Sequence, residues 1–246
     1  MKKLVAYITA GYPDKNFSVD LALALKEAGV DILELGIAFS DPVADGPIIE
    51  EANLRSLQNG FKIKNVFDIS KEISAKIDTY WMGYFNSFYH KGIENISELA
   101  KNSGVKGFII PDLPYEETLE YSPIFNKENL SLVSFVAPTD DEQRIKTVVK
   151  NSKGFIYLVA YAGITGSGAS EDLSQIIKQV KKQSQTPLYI GFGVNEKTAK
   201  EKSQVVDGVI VGSAFVKVLL DDTLINTQKI QKISQIAKNI KESINS

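Results

Sequence analysis

Eight short apolar runs recur along the chain, and amphipathic segments of helical periodicity separate them. The runs cover residues 3–9, 31–35, 78–83, 107–110, 131–136, 155–160, 187–191 and 208–211. Apolar residues in these runs are mostly consecutive, which is typical of strands whose sheet is covered on both faces. Strands alternating with helices predict parallel βα units. About eight such units in 246 residues predict an α/β fold of the (β/α)8 TIM-barrel type.

One unit of this pattern is repeated. Residues 28–36 are echoed by residues 103–112 and, more weakly, by residues 205–213. In the first two copies we expect a helix to end at a left-handed glycine, Gly29 or Gly104, just before a short apolar strand. Closely spaced helix and strand, repeated in this way, again favour parallel βα units.

The chain carries no linker, low-complexity run or charge block, so we expect one domain over residues 1–246. Its last amphipathic segment has isoleucines at helical spacing: Ile230, Ile233, Ile236, Ile240 and Ile244. A stripe of this kind predicts packing against the core rather than a membrane or partner helix.

Composition excludes several classes of protein. The formal net charge of −2, without a basic block, argues against nucleic acid as a partner. The absence of cysteine rules out disulfides, thiolate metal sites and a cysteine nucleophile, and no metal site is predicted. His90 is the only histidine, and no G-x-S-x-G motif accompanies it. The first apolar run is too short for a signal peptide, and no run reaches the ~18 residues of a membrane span, so we expect a cytoplasmic protein without membrane contact.

Two acids stand at the second strand and in the loop after it. Glu34 lies inside an apolar run, where burial raises the pKa of a carboxyl, whereas Asp45 lies in a Gly- and Pro-flanked loop where solvent and hydrogen bonds favour ionisation. Two carboxyls in different environments can serve acid and base chemistry near neutral pH. The alternative is structural: a strand acid satisfied by a lysine, and an Asp-Gly turn.

Glycines mark the ends of the last two strands. Gly191-Phe192-Gly193 follows the seventh strand and Gly212-Ser213 the eighth. Glycine lets backbone N–H groups approach an anion closely, and the following helix adds a favourable dipole. Because these loops are neighbours in a barrel, they predict a phosphate site, although glycines can also serve only as tight turns.

A long glycine-rich loop, residues 162–170, follows the sixth strand. Such a loop can close over a ligand and exclude water, or it can be a plain connection. Tyr7, Tyr157 and Phe192 stand where they could form aromatic walls of a site, although most aromatic residues at strand positions are core.

Together these residues resemble the tryptophan synthase α subunit family over nearly the whole chain. The residues that carry the resemblance are Leu33-Glu34-Leu35-Gly36, Phe39-Ser40-Asp41-Pro42, Ala44-Asp45-Gly46-Pro47, Gly163-Ile164-Thr165-Gly166, Gly191-Phe192-Gly193 and Gly212-Ser213. The resemblance implies retro-aldol cleavage of indole-3-glycerol phosphate to indole and glyceraldehyde 3-phosphate.

The resemblance also implies residue roles. Glu34 would be the principal acid/base, and Asp45 would accept a hydrogen bond from the indole N–H. The remaining positions are Tyr157 beside the glycerol portion, Tyr7, Met82 and Ile109 along the indole, Thr165 and Phe192 as further substrate contacts, and Gly166, Gly193, Gly212 and Ser213 at the phosphate. Asp112 matches a family aspartate associated with coupling to the partner subunit.

By the same resemblance, this subunit needs no cofactor. The implied partner is a β subunit that holds pyridoxal phosphate, receives the indole and joins it to serine, in an α2β2 complex. Two rival functions stay open on residues alone. One is another phosphate-binding TIM-barrel isomerase or lyase, which the motifs in residues 39–47 argue against. The other is a non-catalytic, ligand-sensing partner of a β subunit, which would be expected to have lost the two acids.

Overall fold

The computed structural model describes residues 1–159 and 173–246, in which strands and helices alternate. The strands are β1 (Lys3–Thr9), β2 (Ile32–Gly36), β3 (Asp78–Met82), β4 (Gly107–Ile109), β5 (Ser131–Leu132), β6 (Ser134–Val136), β7 (Ile156–Val159), β8 (Leu188–Gly191) and β9 (Gly208–Val211). The helices are α1 (Lys15–Glu27), α2 (Pro47–Gln58), α3 (Ile63–Ile73), α4 (Phe85–Tyr89), α5 (Ile93–Asn102), α6 (Tyr115–Lys127), α7 (Glu142–Val149), α8 (Ser174–Gln183), α9 (Ala199–Ser203), α10 (Ser213–Leu219) and α11 (Asn226–Ser243).

The strands form one parallel sheet in the order β5-β4-β3-β2-β1-β9-β8-β7-β6. Its two edge strands, β5 and β6, are separated in the chain only by Val133, so the sheet curls into a nearly closed barrel. The predicted (β/α)8 barrel is therefore confirmed.

The predicted fifth strand, residues 131–136, is wrong in one respect, because it is two strands. β5 pairs with β4, whereas β6 pairs with β7. Neighbouring strands of a barrel are staggered, so one strand meets its two neighbours at different heights. Val133 stands between the two segments, and its N–H still donates to the Phe108 carbonyl at 2.9 Å.

The predicted link from helix to strand is confirmed in both copies. Gly29 follows α1 with φ +96°, and Gly104 follows α5 with φ +77°. α1 begins at Lys15 because the Asp14 carboxylate accepts a hydrogen bond from the Phe17 N–H at 2.9 Å and caps the helix.

Apolar side chains form an outer core between strands and helices and a smaller inner core within the barrel. The inner core consists of Val5, Tyr80, Ile109, Val133, Phe155, Tyr189 and Ile210. The Phe155 ring lies 4.9 Å from that of Tyr189 and 5.3 Å from that of Tyr80. These rings fill the amino-terminal half of the barrel and leave space at the carboxyl ends of the strands.

The last helix, α11, packs on the outside of the barrel and is bonded to the amino-terminal ends of the strands. Lys241 Nζ donates to the Asp31 carboxylate at 2.5 Å and to the Lys2 carbonyl at 2.9 Å. Ile233 and Ile240 on this helix are fully buried. The predicted isoleucine stripe thus packs against the core.

Candidate active site

A cavity of about 1100 Å³ opens at the carboxyl ends of the strands. Every predicted site residue that the structure describes lines it: Tyr7, Glu34, Asp45, Met82, Ile109, Tyr157, Phe192, Gly193, Gly212 and Ser213. Thr165 and Gly166, predicted to bind substrate and phosphate, lie outside the described residues. The structure thus gathers ten predicted positions, drawn from seven strands and their loops, around one space.

Glu34 projects into the barrel because of the two-residue period of β2. Leu33 and Leu35 pack into the outer core, so the side chain between them points inward. Glu34 is 3% exposed, and its Oε1 has no hydrogen-bond partner among the described residues. Burial, with a smaller contribution from the nearby charge of Asp45, raises the pKa of Glu34 to about 8. A carboxyl in this setting is protonated at neutral pH and can donate a proton.

Two tyrosines flank the mouth, each next to a glycine that makes room for it. Tyr7 pairs in register with Glu34, and a Cβ on Gly36 would lie 2.3 Å from the Tyr7 hydroxyl oxygen. A Cβ on Gly191 would lie 2.4 Å from the Tyr157 hydroxyl oxygen. Any side chain at either glycine would displace a tyrosine. Burial raises the pKa of both phenols, so they stay neutral and can donate hydrogen bonds.

Asp45 is held at the rim of the cavity by two side chains. Asn53 Nδ2 donates to Asp45 Oδ2 at 3.2 Å. Tyr84 hydrogen-bonds the same carboxyl, and its hydroxyl oxygen accepts the Ala44 N–H at 3.0 Å. Burial raises the pKa of Asp45 to about 6, although the hydrogen bonds from Tyr84 and Asn53 lower it. Hydrogen bonds favour ionisation of Asp45 as expected, but the expected exposure to solvent is wrong, because the carboxyl is largely buried and burial outweighs the hydrogen bonds.

Sequence reasoning missed Asn53 and Tyr84. Asn53 is 1% exposed on the inner face of α2, so a polar residue within a buried helical stripe was the available signal. Tyr84 gave no such signal, because it follows β3 and meets Asp45 only through the tertiary fold.

The opposite end of the cavity is built from backbone. Gly212 precedes α10, and Ser213 is its first residue. The first amides of a helix have no acceptor within it, and their dipole favours an anion. Gly193 brings the turn after β8 to the same cavity. These three positions present a polar, largely backbone wall of the kind that binds phosphate.

Apolar side chains line the space between these two ends. Met82 and Ile109 lie at the carboxyl ends of β3 and β4. Phe135, which sequence reasoning missed, also lines the cavity and stacks on Tyr157 with ring centroids 5.2 Å apart. At the end of β4, Asp112 accepts the Phe85 N–H at 2.8 Å, which ties this corner to α4. The middle of the cavity is therefore suited to a flat apolar ring.

Residues 1–159 and 173–246 offer neither a metal site nor a membrane-spanning helix. Within them, no group of three or more His, Cys, Asp or Glu side chains could hold a metal ion. No helix in this part of the chain is both long and apolar enough to cross a bilayer.

Comparisons with known proteins agree with one another. The family model described as "tryptophan synthase alpha chain" matches residues 1–245. A tryptophan synthase alpha chain of Wolinella succinogenes is 58% identical over 247 residues, which covers 100% of this chain and 97% of the relative. A tryptophan synthase alpha chain of Petrotoga mobilis is 38% identical over 245 residues, which covers 98% of this chain and 95% of the relative.

Solved structures give the same result. Tryptophan synthase subunit alpha from Campylobacter jejuni superposes with a TM-score of 0.86 at 36% identity, over 96% of this chain and 95% of that one. A chain of Mycobacterium tuberculosis tryptophan synthase gives 0.89 at 29% identity, over 100% and 93%. A matching family model over nearly the whole sequence and relatives at this identity show that the chain belongs to the tryptophan synthase alpha chain family.

Proposed function

We propose that this chain cleaves indole-3-glycerol phosphate to indole and D-glyceraldehyde 3-phosphate, as a carbon–carbon lyase of the tryptophan synthase α type. The observation that carries the proposal is the buried Glu34 carboxyl, facing a cavity that has a second carboxyl and a glycine-built end. The substrate has three chemically distinct parts, and the cavity offers each a matching wall. Its apolar middle suits the indole, its tyrosines the glycerol hydroxyls, and its free helix amides the phosphate.

Glu34 has the proton that cleavage requires. Protonation of indole C3 turns the ring into an electron sink, because positive charge then rests on the ring nitrogen. When the hydroxyl on the adjacent carbon loses its proton, the carbon–carbon bond breaks and its electrons restore the aromatic ring. The carbon that carried the hydroxyl leaves as an aldehyde. In our proposal Glu34 donates the first proton and helps remove the second, so it ends the cycle protonated.

Asp45 would act on the same ring from its nitrogen. An ionised carboxylate that accepts the indole N–H stabilises the positive charge that develops after C3 is protonated. With a pKa of about 6, Asp45 is mostly ionised at neutral pH, whereas Glu34 at about 8 is mostly protonated. The two environments thus keep the acids in opposite states, which supports the two roles.

The family implies a partner and a location. We propose that a β subunit docks on this chain, takes up the indole directly and joins it to serine, in an α2β2 complex. Direct transfer is favoured because indole is apolar and would otherwise diffuse away. We further propose that this chain holds no cofactor, since the protonated ring is the electron sink, and that pyridoxal phosphate belongs to the β subunit. A cytoplasmic location is proposed on the same basis, for a biosynthetic enzyme family.

The test is incubation with indole-3-glycerol phosphate, with and without a β subunit, while free indole is measured. We expect Glu34→Gln to lower kcat by about 100-fold or more, because the amide keeps the shape and cannot transfer a proton. Binding of glycerol 3-phosphate should survive. Glu98→Gln, an exposed acid on α5, is the matched control and should leave the rate unchanged.

Two results would contradict the proposal. Near-normal turnover by Glu34→Gln would remove that carboxyl from the chemistry. Tight binding of glycerol 3-phosphate without any release of indole by the unmodified protein would favour the ligand-sensing alternative instead.

A further inference from the structure

The turn after β8 has an unusual backbone. Phe192 has φ +68° and Gly193 φ +65°, so two consecutive residues are in the left-handed region. This region is crowded for a residue with a Cβ, and Phe192 needs support to stay there. Two side chains from the next segment supply it. Lys202 Nζ donates to the Phe192 carbonyl at 2.8 Å, and Thr198 Oγ1 donates to the Gly193 carbonyl at 2.7 Å.

The bond from Lys202 fixes the direction of a neighbouring N–H. In a planar trans peptide the C=O of one residue and the N–H of the next point to opposite sides. Because the Phe192 carbonyl points at Lys202, the Gly193 N–H points away from it. Gly193 lines the cavity and Lys202 does not. Among residues 1–159 and 173–246, the structure gives this N–H no acceptor, so no group in these ranges competes with a ligand for it.

Lys202 also places a positive charge directly behind the turn. A Cβ on Gly193 would lie 3.3 Å from Lys202 Nζ. Lys202 is half-buried, and within the described ranges no carboxylate lies within 4.0 Å of its ammonium. Burial lowers the pKa of this lysine, and the neighbouring Glu201 opposes the shift only in part. A partly desolvated cation that has no carboxylate in contact among the described residues favours an anion nearby.

We infer that Lys202 is a positioning residue for the phosphate of the substrate. It holds the Phe192–Gly193 peptide so that the Gly193 N–H faces the phosphate, and its charge adds to the attraction from behind the backbone. The inference rests on the proposed function, since it names a residue that prepares the same site. Its effect is confined to the phosphate end, because the acids lie across the cavity on other strands.

The experiment compares Lys202→Met with Lys200→Met, which removes a lysine from an exposed position on the same short helix. Glycerol 3-phosphate and indole serve as separate probes of the two ends of the cavity. We expect Lys202→Met to weaken glycerol 3-phosphate binding and to raise KM for indole-3-glycerol phosphate by about tenfold, as for loss of a charge-assisted contact. Indole affinity should not change, and kcat should stay within about twofold. Lys202→Arg, which keeps charge and donors, should restore most of the affinity.

Three results separate the possibilities. Equal glycerol 3-phosphate affinity in Lys202→Met and Lys200→Met would overturn the inference and leave the proposed function intact. An equal loss of indole and glycerol 3-phosphate binding would show that the substitution disorganises the whole mouth, which also overturns it. Failure of the unmodified protein to bind glycerol 3-phosphate would instead count against the proposed function.

Discussion

Ionised Glu34 would carry a large electrostatic cost, because it is buried and one of its oxygens has no hydrogen-bond donor among the described residues. A buried group of this kind is usually paired or neutral, and the raised pKa shows that neutrality is the outcome here. Its burial could be predicted from an acid within an apolar strand. The position of Asn53 and Tyr84 around Asp45 could not, because α2 and the end of β3 meet only in the folded barrel.

The raised pKa of Glu34 predicts how the free energy of unfolding depends on pH. The unfolded chain releases the Glu34 proton near pH 4.5, whereas the folded chain keeps it until about 8. The contribution of Glu34 to stability is therefore complete below about pH 4.5 and is lost as the pH rises to about 8. Glutamine has no proton to lose, so Glu34→Gln escapes this loss. As the pH rises through this window, the unfolding free energy of Glu34→Gln should therefore increase relative to that of the unmodified protein, by up to about 4 kcal/mol.

Urea unfolding at pH 5, 7 and 9 measures the difference, with Glu98→Gln as the control that should follow the unmodified protein. Parallel curves for Glu34→Gln and the unmodified protein would mean that the pKa of Glu34 is ordinary. The acid role proposed for it at neutral pH would then have to be withdrawn.

Most strands and helices could be predicted from the sequence, because each strand is a buried apolar run and each helix has one apolar face. Seven of the eight predicted strands appear within about one residue of their expected bounds. The fifth is divided because its hydrogen bonds pass from β4 to β7 midway, and no local pattern contains that information. Glycine caps could be predicted, whereas the side chains that hold α10 could not.

Helix α10, whose first residues line the cavity, is held at its carboxyl end by a lysine of α11. Its amino end faces the cavity, and at its carboxyl end the buried Lys229 on α11 donates from Nζ to the Leu219 carbonyl at 2.6 Å. A cation at the carboxyl end of a helix complements the dipole and satisfies a carbonyl that the helix leaves free. Lys229→Met would leave that carbonyl buried without its partner. We expect the unfolding free energy to fall by about 1–3 kcal/mol.

Chemical denaturation measures this fall, and Lys238→Met, at an exposed position of the same helix, should change stability by less than about 0.5 kcal/mol. An unchanged urea midpoint in Lys229→Met would show that the hydrogen bond to Leu219 contributes nothing net.

At the scale of the whole molecule, charge is divided between the two sides of the barrel. Residues 31–130, which include both acids and the strands beside the indole, carry 16 Asp and Glu against nine Lys and Arg. Residues 173–246, which include the glycine-built end, carry 11 lysines against six Asp and Glu. The division matches the proposed substrate, since its ring becomes positive during the reaction and its phosphate is negative. That these parts form one domain over residues 1–246 stays a prediction.

Divided charge of this kind predicts a salt effect confined to phosphate-bearing ligands. Raising the ionic strength from about 0.01 M to about 0.1 M shortens the Debye length from about 30 Å to about 10 Å, which screens the distant lysines. We therefore expect kcat/KM for indole-3-glycerol phosphate to fall severalfold while kcat and the affinity for indole stay constant. Replacement of Lys217 and Lys232, which line the outer rim of the cavity, by glutamine should flatten the dependence. A dependence that persists unchanged in this double variant, or an equal effect on indole, would show that the basic side does not attract the phosphate.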